Sequence, residues 1–208
     1  MKAKYPFVLA SIVSLVLLAS ATSHAADLIS SDGVTHDWFG DSVSLSGSVG
    51  LVGADYTTIG STTTQGAAYV YRNLATASGT ATQNVKLVAS DGAAYDHFGN
   101  SVSLSDGIAL VGAYNAKIGS NTYQGAAYVY QNLATASGTA TQNVKLIASD
   151  GAAGNYFGNS VSLSGSTGLI GAYDAKVGST FYQGAAYVYR NLATASGTAT
   201  QNVKLIAS

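Results

Sequence analysis

The sequence predicts an all-β chain made of β-propeller blades of four antiparallel strands, three blades plus an extra N-terminal strand, in an open or partial propeller. Three observations predict it. Phe39-Gly40, Phe98-Gly99 and Phe157-Gly158 recur at a constant interval of 59 residues, and a fixed period of that length marks a repeat architecture. Each period holds four strand-like segments, the count of a propeller blade. Ala, Ser, Thr, Gly, Val and Tyr dominate, with one Pro and no Glu, a composition that favours strands and turns over helices.

The first period shows the elements in order. Ser42-Val43-Ser44-Leu45-Ser46 alternates strictly, placing Val43 and Leu45 on one face and the serines on the other. After a tight Gly/Ser turn, Gly50-Leu51-Val52-Gly53-Ala54 is a short apolar run suited to a strand buried on both faces. The third strand, Gly66 to Leu74, sets Tyr69 and Tyr71 opposite Val70. The fourth, about Gln83 to Ser90, sets Val85, Leu87 and Ala89 opposite Lys86. Ser78-Gly79 is expected at the tip of the hairpin between the last two, where Gly supplies a positive φ. From Gln65 to Ala94 the first copy differs from the second only at Arg72/Gln131 and Val88/Ile147.

The repeats are expected at about 34–90, 93–149 and 152–208, within a unit spanning 26–208. Residues 1–25 read as a signal peptide: Lys2 and Lys4 precede an apolar stretch from Phe7 to Ala21, and Ser23-His24-Ala25 is a small-x-small cleavage site. Export to the periplasm, cell surface or medium follows, with no membrane span once the signal is removed. Cysteine is absent and the net charge is −1. That excludes a disulfide scaffold and thiolate metal sites, and the lack of a basic patch argues against nucleic acid.

Phe39-Gly40-Asp41-Ser42-Val43-Ser44-Leu45 followed by Leu51-Val52-Gly53-Ala54 resembles the FG-GAP repeat of integrin-α-type β-propellers. The resemblance is greatest to the bacterial exported form, whose GAxYV-like third strand matches Gly66-Ala67-Ala68-Tyr69-Val70. It implies blades whose repeat-motif residues Phe39, Gly40, Phe98, Gly99, Phe157 and Gly158 are structural. The Pro of "GAP" is replaced by Asp55, Tyr114 and Tyr173. Calcium-binding members carry an acidic loop between the FG and GAP strands, but the three segments here hold one carboxylate, Asp106. Calcium needs six to eight converging oxygens, so no cofactor and no metal site is expected.

His97 beside Asp96 suggests a catalytic triad, but Trp38 and Tyr156 occupy the same place in the other copies. What persists is a flat ring, which reads as stacking. Asp32, Asp91 and Asp150 each precede Gly at an inter-blade corner and read as Asx-type turn caps. Paired tyrosines such as Tyr69 and Tyr71 read as packing. Tyr56, Tyr114, Tyr123, Tyr173, Phe181 and Tyr182 fall where the copies differ most. With four alternating strands, those loops and the inter-blade loops emerge on one rim. A constant scaffold with a variable, aromatic rim fits a binding surface for protein or glycan.

Asp27 to Gly33 aligns with Lys86 to Gly92, so the mature chain opens on a copy of strand four, and the third copy has its own at Asn202 to Ser208. This predicts an open array that self-associates or belongs to a longer propeller with further blades. The expected function is a non-enzymatic exported binding or adhesion module; the alternative is a structural surface or matrix array without a ligand of its own.

Overall fold

The computed structural model describes residues 26–207. Sixteen short strands make up the fold, with one 3-10 turn at Leu74–Thr76 and its two counterpart turns. β1 is Ala26–Ile29. The first repeat contributes β2 (Ser42–Ser46), β3 (Val49–Ala54), β4 (Ala67–Tyr71), β5 (Gly79–Thr82) and β6 (Val85–Val88). The second contributes β7 (Phe98–Ser105), β8 (Ile108–Ala113), β9 (Ala126–Tyr130), β10 (Gly138–Thr141) and β11 (Val144–Ile147). The third contributes β12 (Phe157–Ser164), β13 (Thr167–Ala172), β14 (Ala185–Tyr189), β15 (Gly197–Thr200) and β16 (Val203–Leu205). The expected signal peptide, residues 1–25, lies outside the described residues.

Each repeat forms an antiparallel sheet in the expected order, β2-β3-β4-β6, with Val43 opposite Val52 and Val52 opposite Tyr69. The fold differs from a four-strand unit in one respect. In the first two repeats a fifth strand from the next repeat joins the outer edge in parallel: β10 on β6 and β15 on β11. β5 pairs in the same way with β1, which stands where the fourth strand of a preceding repeat would stand. The sheets are therefore mixed, and among the described residues none closes on itself.

That arrangement corrects the expected hairpin tip. Gly79 has a positive φ of 65°, but it opens β5 instead of turning the chain from strand three into strand four. The Gly-Thr-Ala-Thr segment has no buried face. Its place is fixed by backbone pairing to a neighbour, which needs no apolar side chain.

The core lies between repeats. Leu51, Val70, Val85 and Leu87 of the first pack against Val102, Leu104, Val111, Tyr128 and Leu133 of the second. Leu110, Val129, Val144 and Leu146 of the second pack in the same way against Leu163, Ile170, Tyr187 and Leu192 of the third. Each repeat thus has a forward face on strands two to four and a backward face that carries the tyrosines. Burying a Leu or Val side chain contributes about 1.5–3 kcal/mol, so the two junctions hold the chain together.

The Phe-Gly motif seats the junction. Phe98 and Phe157 are fully buried, each edge-on to two tyrosines of its own repeat. Phe39 is half-buried against Tyr69 and Tyr71. Gly99, at φ 99°, lies against the backbone of the preceding repeat, where an added Cβ would overlap the Ala67 carbonyl oxygen. Gly53 faces the Gly99 carbonyl from the other side, and Ser42 Oγ donates to that carbonyl at 2.6 Å. Both glycines are needed because two backbones meet there.

The corner aspartates also differ from expectation. Asp32, Asp91 and Asp150 do not cap their turns; they pair with Lys86, Lys145 and Lys204 of the following repeat. The capping role falls to Asp37 and Asp96, whose Oδ2 atoms accept from Val34 N at 2.9 Å and Ala93 N at 2.8 Å.

Candidate binding rim

The loops between strands two and three and the loops between repeats meet at one edge and are tied by backbone bonds. Tyr95 N donates to Thr63 O at 3.1 Å and Phe98 N to Gln65 O at 2.9 Å. One repeat later, Gly154 N donates to Thr122 O at 3.0 Å and Tyr156 N to Tyr123 O at 3.0 Å. Each loop pair thus comes from two adjacent repeats.

Along this edge runs a line of rings. Trp38 stacks on Tyr56 at 3.9 Å, and Tyr56 meets His97 edge-on at 4.8 Å. His97 stacks on Tyr114 at 5.2 Å, Tyr114 reaches Tyr156 at 6.2 Å, and Tyr156 stacks on Tyr173 at 5.1 Å and 6°. Tyr123 joins Tyr156 from the side at 6.0 Å, while Phe181 and Tyr182 lie together at 6.3 Å. Of the rim residues expected from sequence, Tyr56, Tyr114 and Tyr173 enter the line, Tyr123 flanks it, and Phe181 and Tyr182 form a separate exposed pair. Trp38, His97 and Tyr156 were recognisable as stacking rings. Their interleaving with the rim tyrosines was not, because the contacts that link one stacked pair to the next, Tyr56 to His97 and Tyr114 to Tyr156, join loops of different repeats.

The rim backbone is strained. Trp38, His97 and Tyr156 have φ of 56°, 57° and 53°, and Tyr123 and Tyr182 have 56° and 59°. Bulky side chains rarely adopt this left-handed region, which costs about 1–3 kcal/mol per residue. The inter-loop bonds and ring stacks hold it, and such strain is concentrated at recognition and catalytic surfaces.

Two open depressions repeat along the rim. In the third repeat a pocket of about 440 Å³ is lined by Asn155, Tyr156, Asp174, Lys176, Phe181 and Tyr182. Its counterpart in the second repeat holds about 230 Å³ beside Tyr95, Asp96, Asn115, Lys117 and Tyr123. The third is roomier where Gly154 replaces Tyr95. Lys176 Nζ sits 4.3 Å from the Phe181 ring centre, a cation–π contact at the pocket mouth.

His97 Nδ1 lies 3.1 Å from Asp55 Oδ2, so its carboxylate partner is a residue of the preceding repeat and not the adjacent Asp96. Asp96 is bonded to its own turn, and burial raises its pKa above the ordinary value. Tyr114 is raised as well, by burial and then by the charge of Asp55. Among the described residues no three His, Asp or Glu converge as a metal site. No described helix is long and apolar enough to cross a membrane.

An all-β repeat protein whose recurring glycines and phenylalanines sit at the junctions is what fold and rim define. The model of the FG-GAP repeat matches residues 22–71, 81–130 and 140–189, well over half of the sequence. The chain belongs to the FG-GAP repeat family. FG-GAP repeats are structural, non-catalytic units. No curated protein matches it. Among solved structures it is similar to the crystal structure of the computationally designed Ika4 protein, at 14% identity and a TM-score of 0.47, covering 83% of this chain and 76% of that one.

Proposed function

We propose that the chain is an exported, non-enzymatic binding module whose three sheets are blades of an open propeller arc, and whose rim binds a glycan. The observation that carries this reading is the third-repeat pocket, where exposed Tyr182 and Phe181 stand beside Asp174, Asn155 and Lys176. A sugar has an apolar C–H face that stacks on a ring and hydroxyls that need carboxylate, amide or ammonium partners. An open aromatic pocket with a few polar groups meets both needs. The strained, cross-tied backbone keeps the rings in place before a ligand arrives, which lowers the ordering cost of binding. A protein ligand would use the same aromatic anchors.

The test is a glycan array probed with the exported chain, followed by titration of the best hit against Tyr182→Ala and Phe181→Ala. Each is expected to weaken binding at least about tenfold, the loss of one good stacking contact. A chain that retains no glycan, or one whose binding survives both substitutions, overturns the glycan assignment. The near-identity of the repeats outside the rim favours a second reading, a structural surface array; it predicts that neither substitution changes any property of the assembled material.

A further inference from the structure

The backward face of the first repeat and the forward face of the third are the two halves of the junction that the chain already makes twice. On the backward face of the first repeat Val43 is 69% exposed, whereas its counterpart Val102 is 8% exposed beneath the first repeat. Leu45 is exposed in the same way and Leu104 buried. They border an open apolar groove of about 270 Å³ with Leu28, Val52 and Leu74. On the forward face of the third repeat Leu205 is 48% exposed, whereas Leu146 is 0% exposed against the third repeat. Leu169 is exposed where Leu110 is fully buried.

The polar groups match too. Leu104 N donates to Ser44 Oγ at 3.0 Å, and Leu163 N to Ser103 Oγ at 2.9 Å. The next hydroxyl in this series, Ser162, is exposed on the third repeat, and the next amide is that of Leu45. Arg72 Nε donates to Leu133 O at 2.7 Å and its guanidinium also reaches Ala136 O, while Gln131 makes the same pair of contacts to Leu192 O and Ala195 O. Arg190 occupies this position in the third repeat and is exposed. Leu74 and Ala77 of the first repeat carry the corresponding carbonyls.

We propose that copies of this chain associate head to tail, the forward face of the third repeat covering the backward face of the first repeat in a second copy. Two strands then compete for one place, because β1 already stands on β5 in the position of a preceding fourth strand. β1 keeps that place, held also by Asp32 on Lys86 and by Tyr71 Oη donating to Ile29 O at 2.7 Å. Its free edge joins β14 of the other copy and displaces β16, with Leu28 opposite Ala186 as Leu146 is opposite Ala127. The contact is heterologous, so each added copy exposes a fresh face, and the assembly grows until it closes or runs out of copies.

The experiment is sedimentation velocity of the exported chain, its N terminus sequenced, across a concentration series. The parent is expected to grow past the dimer as concentration rises. Val43→Asp with Leu45→Asp blocks the head and Leu169→Asp blocks the tail; these positions are exposed, so each variant is expected to keep its circular-dichroism spectrum and to sediment as a monomer. Mixed in equal amounts, the two are expected to double in mass and stop there, since each retains one complementary face. In that dimer β16 of the head-blocked chain exchanges its amide hydrogens faster and β1 of its partner more slowly. A monomeric parent, single variants that still associate, or a mixture that remains monomeric overturns the assembly; full protection of β16 in the mixed dimer overturns the strand displacement.

Discussion

Asp55 and His97 come from adjacent repeats and are both buried, with Oδ2 of the carboxylate 3.1 Å from Nδ1 of the ring. The other carboxylate oxygen has no hydrogen-bond partner among the described residues. The imidazole is also clamped between Tyr56 and Tyr114. One side chain therefore ties a polar contact and a ring contact across the junction to a ring of its own repeat.

Replacing His97 by Ala strands a buried carboxylate and opens the line of rings. A loss of about 2–4 kcal/mol is expected, read as a lower urea midpoint at unchanged slope. His36→Ala, at an exposed position, is the control and should stay within about 0.5 kcal/mol of the parent.

Arg72 and Arg190 are the same position of the repeat in two settings. Arg72 clasps two carbonyls of the second repeat, whereas Arg190 is exposed. Arg72→Ala is expected to cost about 1–3 kcal/mol, the usual loss for charge-assisted bonds, and Arg190→Ala about 0.5 or less when dilute. Equal effects in thermal melts would show that the clasp adds nothing to the junction.

Gly40 and Gly99 both have φ of 99°, but only Gly99 lies against a preceding repeat. Gly40→Ala meets open space, so strain of about 1–2 kcal/mol is expected. Gly99→Ala adds a collision with the Ala67 carbonyl and must push two repeats apart, so it is expected to lower the melting temperature much further. A similar fall for both would place the cost in the turn and not in the junction.

Stability against acid follows the Asp32–Lys86 pair. Burial alone would raise the Asp32 carboxyl, but the bond and charge of Lys86, with the Tyr69 hydroxyl, outweigh it and hold it below 3.8. Its contribution is whole above the unfolded value and vanishes as pH drops through the lower folded one. Lys86→Met should flatten that acid limb of the melting curve. Asp41 and Asp96 run the other way: burial raises both, helped at Asp41 by the charge of Asp55, so folding gains as pH falls toward their raised values. A variant whose acid limb is as steep as the parent's would remove Asp32 from the account.

The alternation of Ser42 to Ser46 was readable because its two faces meet different surroundings, and the same holds for Tyr69, Val70 and Tyr71. The strand Gly79–Thr82 was not readable. It has no apolar face, and the backbone partner that orders it is 53 residues back, at Ala26–Ile29. For the same reason Asp32 looked like a turn cap: Lys86 is 54 residues away. The rim tyrosines were visible as a variable aromatic set, but the contacts of Tyr56 with His97 and of Tyr114 with Tyr156 depend on how consecutive repeats dock. Local pattern reported what each strand does inside its sheet and said little about what one repeat lends to the next.

Because β10 completes the sheet of the repeat before it, a boundary drawn between repeats cuts through a hydrogen-bonded ladder. Duplication or loss of whole 59-residue periods, by contrast, leaves every ladder with a donor and an acceptor of the same kind. Length in this lineage can therefore change by recombination alone, with no mutation needed to make a newcomer fit. Selection is left free to act on the loops, where Gly154 and Tyr95 already distinguish otherwise interchangeable copies.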